Sequence, residues 1–525
     1  MSKKLLKSGV VVACMTFISR ILGLVRDIVV ANMLGAGAAA DVFLVANKIP
    51  NFLRRLFAEG AFAQAFIPVL AEVKSEGDKE HLRQFIGKVS GTLGVVVTLV
   101  TLLGVIGSPV VAALFGAGWF IDYLNDAPGG EKFEPFALML KITFPYLFFV
   151  SLTGLSGAIL NTLNKFAVAA FTPVLLNVAI IATALLLAPQ LDHPEFALAW
   201  GVFIGGLVQL LFQLPFLYKA GVLVRPRWAW SDPKVTKVRM LMIPALFGVS
   251  VSQINLLFDT MIATSLMTGS PSWLYYSDRL LEFPLGLFGI AIATVILPAL
   301  SGHHVSKDRQ SFSNSIDWAF KLVCILGIPA AAGLFVLAEP MLLTIFYGGA
   351  FTAKDATMAS VSLMAYSTGL LSFMLVKVLA PGFYSRQDLK TPVRIGIYCM
   401  IANMVFNIIL AIPFGYVGLA MATAISASLN AGMLYFKLHQ LGVYQITRNT
   451  LLFVMKIVLA CTAMVLVILY FNPDIPQWLS LSVWQKAIEL AKLILLGFAA
   501  FAISLLVLGV RVNSFRATHR VKDLE

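Results

Sequence analysis

Ser19–Glu72 reads SRILGLVRDIVVANMLGAGAAADVFLVANKIPNFLRRLFAEGAFAQAFIPVLAE. It contains two long apolar runs, with Arg20, Arg26 and Asp27 inside the first and Lys48, Arg54, Arg55 and Glu59 inside the second. Each run is long enough to cross a bilayer, which takes about 20 apolar residues for ~30 Å of hydrocarbon. A cation near the bilayer centre costs roughly 2.5 to 3.5 kcal/mol on insertion scales. A chain that keeps several must either pair them internally or hold them against a wet cavity that receives an anion.

The same reading extends outward to all 525 residues. The chain is 59% hydrophobic and 12% charged, with a mean hydropathy of +0.88, whereas a soluble domain is about 25% charged. Apolar runs recur near 9–34, 38–72, 89–116, 135–160, 166–188, 195–218, 240–268, 272–301, 316–338, 356–382, 393–413, 416–436, 450–471 and 485–510. The expected fold class is therefore an all-α polytopic membrane protein with 14 transmembrane helices and no soluble domain. Lys3, Lys4 and Lys7 before the first run resemble a signal peptide, but the run is too long and lacks a small-residue cleavage site. It reads as an uncleaved span.

The net charge of +13 does not point to nucleic acid, because of where the cations lie. With the N-terminus inside, the cytoplasmic segments hold 25 Lys and Arg, and the external loops hold only Lys132, Lys354 and Lys486. That alternation follows the positive-inside rule and puts both termini in the cytoplasm. Cys14, Cys324, Cys399 and Cys461 all fall in spans with no metal or redox spacing, and they read as small apolar residues. There is no Walker A sequence and no HExxH, which argues against ATP hydrolysis and zinc chemistry. The expectation is a transporter, not an enzyme.

A faint internal repeat links the second and eighth runs. Leu56–Leu70 (LFAEGAFAQAFIPVL) and Gly286–Leu300 (GLFGIAIATVILPAL) align at an offset of 230, matching Ala61, Ala63, Pro68 and Leu70 to Ala291, Ala293, Pro298 and Leu300. Six spans separate the copies, so they share orientation. This predicts two six-span lobes related by an axis along the membrane normal, with two spans added at the end.

The charged residues form sets. Arg20 and Asp27 share a helical face, Arg26 points about 100° away, and Arg20 has no acid within four residues. In the second run Lys48, Asn51 and Arg55 form a stripe, and Arg55 can reach Glu59. In the eighth, Arg279 can meet Glu282 while Asp278 repels it. These are either ion pairs that tie helices together or an arginine-lined cavity for a phosphate-bearing substrate, since the planar guanidinium matches phosphate bidentately. A second set is Ser252, Asn255 and Asp259 in the seventh run, Asn403 and Asn407 in the eleventh and Thr423 in the twelfth. Oxygen donors around one carboxylate suit a hard cation, and equally suit hydrogen-bonded interhelical packing.

Ser19–Glu72, together with WLYYSDRLLEFPLGLFGIAIATVILPALS (Trp273–Ser301) and KVLAPGFYSRQDLKTPVRI (Lys377–Ile395), resembles the MurJ (MviN) lipid II flippase family of the multidrug/oligosaccharidyl-lipid/polysaccharide exporter superfamily. The resemblance covers essentially the whole chain. It implies two six-helix lobes around a central cavity, helices 1–6 in residues 1–220 and helices 7–12 in residues 221–445. Residues 446–525 would hold helices 13 and 14, a lipid-tail groove and a cytoplasmic tail.

The implied substrate is lipid II, the undecaprenyl-pyrophosphate-linked peptidoglycan precursor, moved from the cytoplasmic to the periplasmic leaflet of the inner membrane by alternating access. Cavity arginines of the family carry over to Arg20, Arg26, Arg54 and Arg279, with Asp27, Lys48, Glu59 and Asp278 beside them. The family's sodium position corresponds to Asp259, Asn403, Asn407 and Thr423. Asn407 stands where a second acid is expected, which leaves one charge fewer. No other cofactor is expected. The implied partners are lipid II, membrane lipids and the cell-wall synthesis machinery, with no nucleic acid and the chain acting as a monomer. The alternatives are a drug or cation antiporter, or another polysaccharide-lipid exporter, of the same superfamily. An antiporter would favour aromatic and acidic cavity residues over arginines.

Overall fold

The computed structural model describes residues 3–56, 62–289, 292, 296, 300 and 309–510, the side chains of 3–10 and 247–252 excepted. Helices dominate the described residues, and the only β-type pairing among them is an isolated bridge between Gly348 and Phe351. Ten described helical stretches are long and apolar enough to cross a membrane: Lys79–Ile106, Gly130–Thr162, Phe166–Gln190, Glu195–Lys219, Arg309–Val336, Ala353–Tyr384, Lys390–Phe414, Tyr416–Gln440, Arg448–Phe471 and Val483–Val507. The four runs read from the sequence that fall outside this set lie near 9–34, 38–72, 240–268 and 272–301. They are the runs that carry the internal arginines and the Asp259 stripe.

The chain divides into two compact units, Met1–Ser272 with Gly348–Phe351, and Trp273–Tyr347 with Thr352–Glu525. The first unit contains α1 (Lys3–Leu34), α2 (Ala38–Leu53), α3 (Phe62–Ser75), α4 (Lys79–Ile106), α5 (Ser108–Phe115), α6 (Ala117–Leu124), α7 (Phe133–Thr143), α8 (Pro145–Thr162), α9 (Phe166–Leu186), α10 (Glu195–Lys219) and α11 (Pro233–Thr264). α1 packs along α9, α9 along α10, and α11 along α3. Small residues permit the close α9–α10 approach: a Cβ on Gly201 would stand 2.3 Å from the Thr183 hydroxyl, and one on Gly205 would stand 2.6 Å from Leu176. Phe62, Phe66 and Phe85 stack in series, with centroids 5.2 and 5.9 Å apart, within a buried hydrophobic cluster of this unit.

The join between α10 and α11 is held by charge. Asp232 caps α11 by accepting hydrogen bonds from the amides of Lys234 and Val235, and its other oxygen meets Lys88 Nζ at 2.6 Å. Burial works against the Asp232 anion, but the Lys88 ammonium and those amides outweigh it and hold the carboxyl below the usual aspartate range. A carboxyl depressed in the folded state stabilises above its unfolded pKa, and that stability is lost as pH falls through the folded value. Asp232→Asn should therefore melt lower than the parent by a gap that stays constant from neutral pH to about 5 and closes below about 4. Thermal unfolding in detergent across that range checks it.

The second unit begins inside α12 (Ser270–Pro284), which passes into a π-helical turn at Leu285–Gly289. It continues as α13 (Arg309–Val336), α14 (Ala338–Ile345), α15 (Ala353–Ser367), α16 (Leu370–Leu379), α17 (Pro381–Tyr384), α18 (Lys390–Phe414), α19 (Tyr416–Gln440), α20 (Arg448–Phe471), α21 (Ile475–Ser480) and α22 (Val483–Val507). α20 is tied to α13 through Asp317, which accepts from Tyr444 at 3.0 Å and Thr450 at 2.7 Å and pairs with Lys321 at 2.6 Å. All four cysteines are free thiols, and three of them are buried.

The internal repeat has a structural counterpart. Residues 54–56 also form a π-helical turn, after Pro50 in α2, as Leu285–Gly289 does after Pro284 in α12. At the offset of 230, residue 285 maps to 55, so the two changes of helical pitch begin one residue apart. Proline removes one backbone donor from the ladder, and a π-type turn re-forms it with wider spacing.

Candidate functional site

The first unit holds most of the charged residues singled out by the sequence. On α1, Asp27 is almost fully buried (2%), and Arg26 closes on it with Nε at 3.0 Å and Nη2 at 2.7 Å from one carboxylate oxygen. Neighbours on a helix point in different directions, but the arginine stem is long enough to fold back over its own turn. The remaining arm of Arg26 donates to Asn177 Oδ1 of α9 at 3.0 Å, and Asn177 Nδ2 in turn donates to the Ser19 carbonyl at 3.2 Å. Arg26 is thus a gripped guanidinium, 13% exposed. Arg20, which shares a face with Asp27 by spacing, is exposed and makes no hydrogen bond or ion pair among the described residues.

On α2, Lys48 donates to the Thr260 hydroxyl of α11 at 3.1 Å, linking the two helices. Asn51 donates to the carbonyl of Asn47, and Arg54, half-buried, approaches Asn51 Oδ1 at 3.4 Å. Arg55 is exposed. Glu59 lies outside the described residues, as does the Ser252 side chain.

The α1–α2 end of this unit is fixed by a second charge, at Asp41, which has no exposed surface. It accepts hydrogen bonds from Gly269 N at 2.7 Å, Ser272 N at 3.2 Å and Ser272 Oγ at 2.6 Å, and its other partner is Lys132 Nζ at 3.6 Å. Lys132 is itself 3% exposed, donates to Thr268 and lies over the Trp119 ring. Read from the sequence as an external-loop lysine, it proves to be a buried counter-ion.

In the second unit, Arg279 donates to Glu282 Oε2 at 2.9 Å and to the Tyr275 hydroxyl at 3.0 Å. Arginine and glutamate are 35% and 47% exposed. A pair so open is worth about 0–1 kcal/mol, so a polyanion can displace the glutamate at little cost. Asp278 is half-buried one residue away.

Three of the four residues assigned to sodium, Asn403, Asn407 and Thr423, lie in the second unit. Asn403 and Asn407 are 1% and 0% exposed, and the Asn407 amide donates to Asn403 Oδ1 at 2.9 Å. The Thr423 hydroxyl donates to the Leu419 carbonyl of its own helix. The one carboxylate of the set, Asp259, belongs to the first unit. Among the described residues no group of three or more His, Cys, Asp or Glu could hold a metal.

Asn177 is the member of the Arg26 cluster that the sequence reading missed. Its signal was present: it is the single amide in the apolar run of α9, four residues after Pro173. An amide in hydrocarbon needs a partner.

The profile of the family described as lipid II flippase MurJ matches residues 30–489 of the chain. The chain belongs to the lipid II flippase MurJ family. It is 62% identical to a probable lipid II flippase MurJ of Vibrio cholerae over 516 residues, 98% of each protein, and 60% identical to that of Haemophilus influenzae over 95% of this chain and 98% of the relative. At 39% identity it also matches a lipid II flippase MurJ of Burkholderia cenocepacia over 86% of this chain and 87% of the relative. Its fold is similar to a solved structure described as lipid II flippase MurJ, inward closed conformation, with a TM-score of 0.78, 27% identity and coverage of 95% of this chain and 98% of that one. An inward-facing multidrug transporter of the MATE family aligns with a TM-score of 0.67 at 14% identity, over 83% of this chain and 98% of that one, which speaks to the fold alone. Arg54, Asp278 and Arg279 fall inside the stretch matched by the MurJ profile, and Arg20, Arg26 and Asp27 precede it.

Proposed function

We propose that the chain carries lipid II from the cytoplasmic to the periplasmic leaflet of the bacterial inner membrane by alternating access, without hydrolysing ATP. The observation that carries this reading is the open state of two guanidiniums in helices read as membrane spans. Arg20 is exposed without a described partner, and Arg279 is held by a solvent-open pair, in a chain of a family named for lipid II. A pyrophosphate supplies the charge and the paired oxygens that such arginines bind best.

In this reading the chain has fourteen spans, in lobes at 1–220 and 221–445 around a central cavity, with both termini cytoplasmic. Residues 446–525 add a groove for the polyprenyl tail. The pyrophosphate enters from the cytoplasmic leaflet and pairs with Arg20 and Arg279, with Arg54 closing from the second span. Arg26 orders the wall behind them through Asp27 and Asn177. The tail stays in lipid, because burying it in protein gains little over an equally apolar bilayer. The membrane potential, positive outside, favours outward movement of the anion by ~2.3 kcal/mol per charge per 100 mV.

Leaflet-resolved labelling of lipid II in cells depleted of the protein tests the assignment. Periplasmic exposure of lipid II should fall on depletion and return with the wild-type gene. Exposure that persists after depletion overturns the role.

A further inference from the structure

The segment between α10 and α11, Gly221–Ser231, reads GVLVRPRWAWS, and it runs as a strap along α4. Arg227 N donates to the Gly87 carbonyl at 2.8 Å, and Ala229 N donates to the Thr92 hydroxyl at 3.1 Å. Gly91 lies so close beneath it that a Cβ there would meet the Arg227 backbone at 2.3 Å. Val222 is buried at one end, and Asp232 is locked to Lys88 at the other.

A backbone pinned in this way fixes what it displays. Trp228 and Trp230 are 56% and 42% exposed, and their rings stack with centroids 5.7 Å apart and planes 9° from parallel. The Arg239 guanidinium lies over Trp230 at 4.0 Å, and Arg225 and Arg227 are exposed alongside.

Three acids in this region are already paired. Asp232 pairs with Lys88, Glu76 with Lys234 and His81, and Glu72 with Lys237. Arg225, Arg227 and Arg239 have no acidic partner among the described residues, so the strap is left with unbalanced positive charge. Beside it, Leu223, Met240, Leu241 and Ile243 expose apolar surface that continues onto α11. Stacked indoles at the border between that apolar surface and a row of arginines match the depth of lipid headgroups.

We propose that the strap 222–231 is a docking surface for the phosphodiester headgroup of an anionic phospholipid in the leaflet it faces. The guanidiniums of Arg225 and Arg227 take the phosphate, and the indole pair seats the glycerol and upper acyl region. This rests on the chain spanning a membrane and is independent of what it transports.

The test uses the full-length protein in phosphatidylcholine nanodiscs containing a minority of photoactivatable phosphatidylglycerol, with adducts mapped by peptide mass spectrometry. Adducts should concentrate on the strap and on the start of α11. In Arg225→Gln/Arg227→Gln they should fall roughly tenfold or more, as loss of two surface cations implies. The charge-conserving Arg225→Lys/Arg227→Lys should retain most of them, and millimolar inorganic phosphate should not displace them. Equal labelling by a phosphatidylcholine probe, labelling unchanged in the glutamine variant, displacement by inorganic phosphate, or no strap adduct at all each overturns the proposal.

Discussion

Arg279→Ala is expected to abolish restoration of periplasmic lipid II in depleted cells while leaving the purified protein folded. The wild-type guanidinium makes a half-exposed pair with Glu282, bonds the Tyr275 hydroxyl and lies over the Tyr275 ring; the open pair accounts for about 0–1 kcal/mol of fold stability. Transport loses a charge-assisted contact to the pyrophosphate, worth about 1.5–3 kcal/mol per hydrogen bond and more if both arms engage. That predicts a fall in transport of roughly ten- to a hundredfold or more. Arg279→Lys should recover only part of it, because an ammonium keeps the charge but not the planar fork. Arg20→Ala should behave in the same way.

Arg26→Ala is expected to differ in kind. It would take from Asp27, which is 2% exposed, the guanidinium that closes on it, and removing one member of a buried pair costs about 3–5 kcal/mol. Loss of expression or of the thermal transition should therefore accompany its loss of transport. Wild-type labelling with Arg279→Ala would show that this guanidinium does not hold the headgroup.

The largest effect on stability is expected at Asp41→Ala. The carboxylate has no exposed surface and accepts three hydrogen bonds from Gly269 and Ser272 while neutralising Lys132. Removing it leaves an ammonium that is 3% exposed without a counter-ion, and leaves two buried amides without an acceptor. A loss of about 3–5 kcal/mol is expected from the charge alone. Lys132→Met should cost less, because Asp41 keeps its three donors. Thermal or denaturant unfolding of the purified variants orders them, and Lys132→Met unfolding at or below Asp41→Ala would refute the account.

Several parts of the site were legible because they are local. Arg279–Glu282 follows from helical spacing, and the structure contains it. The repeat between the second and eighth runs showed as a few matched alanines, a proline and a leucine, and the structure places a π-helical turn in both copies. The partners of Asp41, Arg26 and Lys48 were not legible. Asn177 stands 151 residues from Arg26, Thr260 stands 212 from Lys48 and Ser272 stands 231 from Asp41. Helical periodicity says which face a residue occupies and nothing about which helix arrives there.

Sequence by itself determined that this chain is a membrane bundle and where its chemistry is concentrated. Apolar runs that span hydrocarbon can satisfy their backbones only as helices, and cations inside such runs are too costly to be kept without use. Only the tertiary structure decided which arginine is gripped and which stays open. By helical spacing the sequence puts Arg20, and not Arg26, on the face of Asp27. Packing of α9 against α1 brings Asn177 to Arg26 and buries Asp27 beneath it, while Arg20, a turn and a half away, is left exposed. Burial and partner are properties of neighbours in space, and those neighbours exist only once the helices have packed.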